Sequence, residues 1–275
     1  MSLEIFHLDA FTAKSFAGNP AAVCPMNEWP EEKLLFAVAR ENNLSETAFF
    51  VPEANYFRLR WFTPTCEVNL CGHATLASGF VLLNILEPAR ESVRFETRGG
   101  ALVVSRQAPS NRNLLSMDFP ALPPWPCLNP PEELMRGLAP GLGTASRSGN
   151  QFVEVVQVKD NYFVVCESEA AVRDLQPDFG LLAKLHPFGV AVTAPGKDCD
   201  FVSRYFAPSY GISEDPVTGS THCSLAPYWA KRLCKNELYA RQLSKRGGEL
   251  WCKWAGGRVM IRGNAVLVLR GEMFV

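Results

Sequence analysis

Residues 60–65 read Arg60-Trp61-Phe62-Thr63-Pro64-Thr65, and residues 204–209 read Arg204-Tyr205-Phe206-Ala207-Pro208-Ser209. The echo continues downstream. Cys71-Gly72-His73-Ala74 has a counterpart in Thr218-Gly219-Ser220-Thr221, and Arg98-Gly99-Gly100-Ala101-Leu102 has one in Arg246-Gly247-Gly248-Glu249-Leu250. One such match would be chance; three in the same order at a nearly constant offset indicate a duplicated domain. Between the copies, prolines stand at 120, 123, 124, 126, 130 and 131. Proline lacks the amide proton that a helix or a central strand needs, so this stretch reads as a linker. The expected division is 1–118 and 119–275, with the last strand free to cross to the first domain.

Both copies follow one plan. β-branched and aromatic runs at 47–51, 57–62, 102–105, 152–158, 162–165 and 265–269 predict strands. Glu31 to Asn42 carries Leu34, Leu35 and Val38 at helical spacing, which predicts an amphipathic surface helix. Ala74 to Leu86 differs: its polar residues Thr75, Ser78 and Asn84 share no single stripe, so the helix is apolar nearly all round. Such a helix must be buried on every side, and it is too short to cross a bilayer. Ser220 to Leu233 matches it, with Pro227 expected to bend it. The expected class is α+β: two pseudo-symmetric halves, each a curled, mostly antiparallel sheet around a central buried helix.

Composition narrows the chemistry. With 275 residues, 47% hydrophobic and 20% charged, the chain has a globular balance and room for one large or two ordinary domains. The net charge is −1 and no basic block occurs, which argues against nucleic acid as a partner. No apolar run reaches the roughly 18 residues of a membrane helix, and the start lacks a signal-peptide pattern. Nine cysteines, an odd count, without an export signal point to a reducing compartment and a cytoplasmic protein. No Cys-x-x-Cys pair occurs, and His7, His73, His186 and His222 have no helical partners at ligand spacing, so no metal site is expected. Gly141-Leu142-Gly143 opens like a dinucleotide fingerprint, but Ser146 stands where the third glycine belongs. There is no Walker lysine and no nucleophile-elbow serine. An enzyme of this composition works with side chains alone and no cofactor.

The chemistry-bearing residues gather at the helix starts. His73 and Ser220 occupy equivalent places, each after a glycine, Gly72 and Gly219, at the head of a buried helix. Helix N-termini present unpaired amide protons and a positive dipole end, so paired ones suit a small carboxylate. Otherwise both glycine turns merely start core helices. Glu46 enters an apolar strand, where a glutamate is costly unless paired, hydrogen-bonded or protonated. Asp215 precedes Pro216, four residues before Gly219. From residue chemistry alone, each is equally well read as an ordinary turn residue, and His73 as a satisfied core histidine.

Four motifs in order carry a resemblance across nearly the whole chain. Phe16-Ala17-Gly18-Asn19-Pro20-Ala21-Ala22-Val23, Ser45-Glu46-Thr47-Ala48-Phe49, Cys71-Gly72-His73-Ala74-Thr75 and Glu214-Asp215-Pro216-Val217-Thr218-Gly219-Ser220 resemble the PhzF (phenazine biosynthesis) family. Asn43-Leu44-Ser45-Glu46 and Arg246-Gly247-Gly248-Glu249-Leu250 are similar to the phenazine biosynthesis-like domain-containing branch. The resemblance implies the diaminopimelate epimerase fold and a homodimer. It also implies a cofactor-independent isomerase acting on a small cyclic amino- or hydroxy-carboxylic acid. Glu46 would be its acid/base, His73 and Asp215 its other catalytic residues, and Asn19, Gly72, Gly219 and Ser220 would bind the substrate. Related amino-acid epimerases use two facing thiols; here the first place is Cys71 but the second is Thr218, whose hydroxyl is a far weaker acid. Two-base stereoinversion is disfavoured. Two alternatives stay open: an epimerase- or dehydratase-type enzyme using Cys71 alone, and a non-enzymatic interaction protein on the same scaffold.

Overall fold

The computed structural model describes residues 2–108, 111–138 and 152–275, so Gly141, Gly143 and Ser146 lie outside the described residues. The chain divides into two compact units: 1–120 with 249–251 and 258–275, and 121–248 with 252–257. The C-terminal stretch 258–275 is thus grouped with the first unit.

The first unit begins with β1 (Ser2–Ala10), β2 (Asn19–Pro25), α1 (Glu32–Asn42), β3 (Glu46–Pro52), β4 (Phe57–Phe62) and the short β5 (Glu67–Val68). The buried helix α2 (Gly72–Val81) follows, then β6 (Ser92–Thr97), β7 (Gly100–Ala108) and β8 (Asn111–Pro120). In the second unit come β9 (Trp125–Pro126), α3 (Glu132–Leu138), β10 (Phe152–Val158), β11 (Asn161–Cys166), α4 (Glu169–Arg173) and α5 (Phe179–Leu182). It continues through β12 (Gly189–Pro195), β13 (Phe201–Ala207), β14 (Ile212–Asp215), α6 (His222–Leu233), β15 (Glu237–Gln242) and β16 (Gly248–Ala255). The long β17 (Arg258–Phe274) returns to the first unit.

In that first unit the sheet closes on itself. β1 pairs antiparallel with β2, β2 parallel with β3, β3 antiparallel with β4, and β4 parallel with β6. The antiparallel pairs β6–β7, β7–β8, β8–β17 and β17–β1 complete the ring. Closure leaves no strand edge in the ring. α2 runs inside, touching β1, β2, β3, β7, β8 and β17, and all ten of its residues are buried. Its small residues make this feasible: a Cβ added at Gly79 would stand 2.5 Å from the Val104 side chain. The two buried hydroxyls are satisfied within the helix, Thr75 Oγ1 donating to the Cys71 carbonyl and Ser78 Oγ to that of Ala74. The helix widens into a π turn at Leu82–Leu86, where the sequence predicts plain continuation. Outside the ring, α1 lays Leu35, Val38 and Ala39 against Phe49 and Phe62. Each such fully buried large side chain stabilises the fold by about 1.5–3 kcal/mol.

The second unit repeats the pairing grammar. Parallel β2–β3, antiparallel β3–β4 and β4–β5, and parallel β4–β6 are matched by parallel β11–β12, antiparallel β12–β13 and β13–β14, and parallel β13–β15. The match extends to side chains. Arg60 of β4 donates from Nε and Nη2 to Glu67 of β5, and Arg204 of β13 does the same to Glu214 of β14. Each guanidinium also lies 4.9 Å from the ring two residues on, Phe62 or Phe206.

In α6, Pro227 cannot donate to the carbonyl of Cys223, and that carbonyl instead accepts from Leu122 N at 2.9 Å. The helix proline thereby ties down the proline-rich linker. That linker is not wholly irregular, since Trp125 and Pro126 pair with β10. α6 begins at His222, two residues later than the sequence predicts, because the turn 219–222 closes with i+3 bonds such as His222 N to Gly219 O. The architecture is α+β, with a curled, mostly antiparallel sheet and a buried helix in each half. Among the described residues no helix is long and apolar enough to cross a membrane, and no cysteine forms a disulfide.

Candidate active site

Three chain turns in the first unit converge on the head of α2. Gly18 adopts φ +63°, and a Cβ there would meet the Ala10 carbonyl at 2.2 Å, so only glycine lets the chain double back and start β2 with Asn19. Asn43 ends α1 in the left-handed region, and Glu46 then opens β3 beside β2, with Ala21 as its register partner. Cys71, in extended conformation, caps α2, and His73 is its second residue.

These turns bring Glu46, His73 and Asn19 together. His73 Nε2 lies 3.1 Å from Glu46 Oε2, and its Nδ1 lies 3.1 Å from the Asn19 amide nitrogen. The histidine and glutamate side chains are 6% and 13% exposed, so the pair sits in a largely dry place. Glu46 Oε2 makes no aligned hydrogen bond among the described residues, although it is at ion-pair distance. Cys71 Sγ lies 3.5 Å from His73 Nδ1.

Burial works against a charged His73, but Cys71 and Glu46 work for it and prevail, holding the imidazole well above its ordinary 6.5. The Cys71 thiol is itself pushed up to about 11, by burial first and by the Glu46 carboxylate second. Near neutral pH it therefore keeps its proton. An asparagine partner suits both ring states: its amide nitrogen donates to a neutral Nδ1, and the amide turned over accepts from Nδ1–H.

Glu46, Cys71 and His73 each offer a ligand atom, all within 4.8 Å of one another, so these three could hold a divalent cation. Linear spacing conceals this grouping, because Glu46 arrives from β3 and the other two from the head of α2.

The remaining candidates lie in the second unit. Asp215 ends β14, and the turn after it carries Thr218, Gly219 and Ser220. Thr218 Oγ1 donates to Asp215 Oδ2 at 2.5 Å, and Thr221 Oγ1 donates to the Thr218 carbonyl at 2.8 Å. His222 Nδ1 lies 2.9 Å from the same carbonyl. That histidine is fully buried, and burial pushes it down to about 4, so it is neutral and its Nδ1–H donates.

Gln242, at the end of β15, binds this turn through three hydrogen bonds, and sequence reasoning missed it. The available signal was register: Leu238, Ala240 and Gln242 share the inward face of their strand, where a glutamine needs partners.

The two units differ at their key positions. Thr47 pairs with Phe62 and Val190 with Phe206, so the place of Glu46 is taken in the second unit by Gly189. A Cβ there would stand 2.0 Å from Tyr205 Oη, which leaves no room for a second glutamate. Counting from the matched Glu67 and Glu214, Asp215 corresponds to Val68.

A family model described as phenazine biosynthesis-like protein matches residues 8–271. A Pseudomonas aeruginosa protein named as an uncharacterized isomerase is 50% identical over 99% of both chains. Phenazine biosynthesis-like domain-containing protein 1 of Mus musculus is 40% identical, again over 99% of both. The crystal structure of a PhzF-family phenazine biosynthesis protein from Enterococcus faecalis superposes with a TM-score of 0.91, at 41% identity and full coverage of both chains. Whole-chain similarity to proteins that carry the isomerase name makes this chain an isomerase. The fold, the order of its motifs and this full-length similarity agree, and the chain belongs to the PhzF family of phenazine biosynthesis-like proteins.

Proposed function

We propose that this isomerase moves a proton within a small cyclic amino- or hydroxy-carboxylic acid, with Glu46 as general acid and base. The observation that carries the reading is the buried Glu46–His73 pair, 3.1 Å apart at the N-terminus of a fully buried helix. Glu46 takes a proton from a carbon beside a conjugated system; the C–H electron pair enters that system and a carboxylic O–H forms. The same proton then returns to another carbon of the system, so the double bond moves and no oxidant, reductant or resident cofactor is consumed. His73, held protonated by Glu46, supplies positive charge beside the developing anion. In this reading Asn19 orients His73, the amides at Gly72 and Gly219 and the Ser220 hydroxyl bind the carboxylate, and Asp215 takes the substrate's amino or hydroxyl group. The proposed setting is the cytoplasm and the proposed assembly a homodimer.

The single-thiol alternative is disfavoured by the same surroundings. Cys71 needs a thiolate to act as a base, and its burial and Glu46 both oppose one. Two-base epimerisation lacks its second thiol at Thr218. A purely interacting scaffold would have no use for a dry carboxylate–imidazole pair.

The test screens conjugated cyclic amino and hydroxy acids in deuterated water. Product from the unaltered chain gains label at the carbon that receives the proton, to the extent that Glu46 exchanges with solvent. Glu46→Gln keeps shape but cannot accept a proton, and turnover falls by about 100- to 10,000-fold. Cys71→Ala costs much less. Loss of turnover in Cys71→Ala with Glu46→Gln spared overturns the assignment.

A further inference from the structure

Thr218 stands where a second acid/base thiol would stand in a two-thiol enzyme, and its hydroxyl is engaged. The direction of every bond around it follows from chemistry. Thr218 N–H can only donate, so the Gln242 atom 2.9 Å from it is Oε1. The Asp215 carbonyl can only accept, so the atom 2.9 Å from it is Gln242 Nε2. With the amide thus oriented, its second hydrogen reaches Thr218 Oγ1 at 3.2 Å. That oxygen accepts, its own hydrogen is left to donate, and it donates to Asp215 Oδ2. Gln242 is 1% exposed and Thr218 8% exposed, so water does not compete strongly for these bonds.

We propose that Gln242 is a positioning residue that acts through Thr218: it fixes the hydroxyl so that Asp215 is held in one orientation as an ionised hydrogen-bond acceptor. A carboxylate held this way cannot serve as a proton donor. It recognises a donor on the substrate, an ammonium or hydroxyl group, which narrows the substrate to carboxylic acids that carry one. The inference rests on the substrate-binding part given to Asp215 above. It also gives Thr218 a task that a cysteine would perform poorly, since a thiol is a weak donor. Replacement of the thiol therefore fits a change of chemistry at this turn rather than the loss of one.

The test reads Asp215 directly and needs no substrate. Carbon-13 NMR of the side-chain carboxyls, with Asp215→Asn to assign the signal, follows the Asp215 titration in the full-length protein. Thr218→Val removes the hydroxyl at nearly constant volume, and the Asp215 midpoint moves upward because the anion has lost a donor. Thr218→Ser restores the wild-type midpoint. Gln242→Met moves it upward too, and the double variant Gln242→Met/Thr218→Val moves it no further than Thr218→Val alone, since Gln242 reaches the carboxylate by way of the Thr218 hydroxyl.

Should Gln242→Met fail to fold, the unaltered chain still decides. The Gln242 side-chain amide proton shifts follow the Asp215 titration in the wild type and cease to follow it in Thr218→Val. An unmoved midpoint in Thr218→Val, additive shifts in the double variant, or a Gln242 amide blind to the titration overturns the proposal. Failure of the functional reading shows elsewhere, as full turnover in Asp215→Asn, and leaves the titration results standing.

Discussion

At the scale of the residue, the Glu46–His73 pair makes stability depend on pH with a definite sign. The imidazole titrates well above 6.5 when folded and near 6.5 when unfolded. Its contribution is therefore complete below about pH 6.5 and is lost as pH rises through the folded value. Melting temperatures taken upward from about pH 6.5 should fall with rising pH. In Glu46→Gln that fall should flatten, because burial then acts on His73 with only Cys71 left to oppose it. An unchanged slope would show that Glu46 does not hold the proton on His73. Glu46 was legible in the sequence because a charged residue at the head of an apolar strand advertises a cost. Gln242 was not, because a neutral amide in a strand with mixed neighbours advertises nothing until its register is known.

At the scale of the element, the matched arginine–glutamate clamps fasten each hairpin that leads into a helix turn. They are not equal in weight. Arg60 is 21% exposed at its side chain and also meets the exposed Glu32, whereas Arg204 is 11% exposed. Arg204 further donates to the carbonyls of Val172, Arg173 and Leu175, so its removal orphans two buried acceptors and a partly buried one as well as Glu214. Arg204→Ala should destabilise by about 3–5 kcal/mol, the range for breaking a buried pair, and Arg60→Ala by clearly less. Urea unfolding of both variants checks this, and equal losses would refute the ranking. The sequence exposed the two arginines through their shared motif but hid their partners. Glu67 and Glu214 sit seven and ten residues downstream, in flanks of dissimilar composition, and only strand pairing shows that they are equivalent.

At the scale of the whole molecule, duplication was legible because three motifs kept their order, whereas the asymmetry that makes the copies useful was not. Gly189 in place of Glu46 and Val68 in place of Asp215 are visible only after the strands are put in register. The last strand, β17, is grouped with the first unit and fills the gap between β1 and β8. This one strand sets a timetable for synthesis. A ribosome finishes residues 2–120 long before it reaches residue 258, yet the first barrel lacks a stave until then, and β1 and β8 present open edges meanwhile. The second unit carries no such debt to later-made sequence beyond its own last residues, 252–257. Chains stalled before residue 258 should therefore show a protease-resistant second unit and a protease-sensitive first one, the reverse of the order in which they emerge. Equal resistance of both in limited proteolysis of the stalled chain would refute this. The half that bears Glu46 is the first to be made and the last to be closed, so a truncated product does not become a working enzyme ahead of its full length.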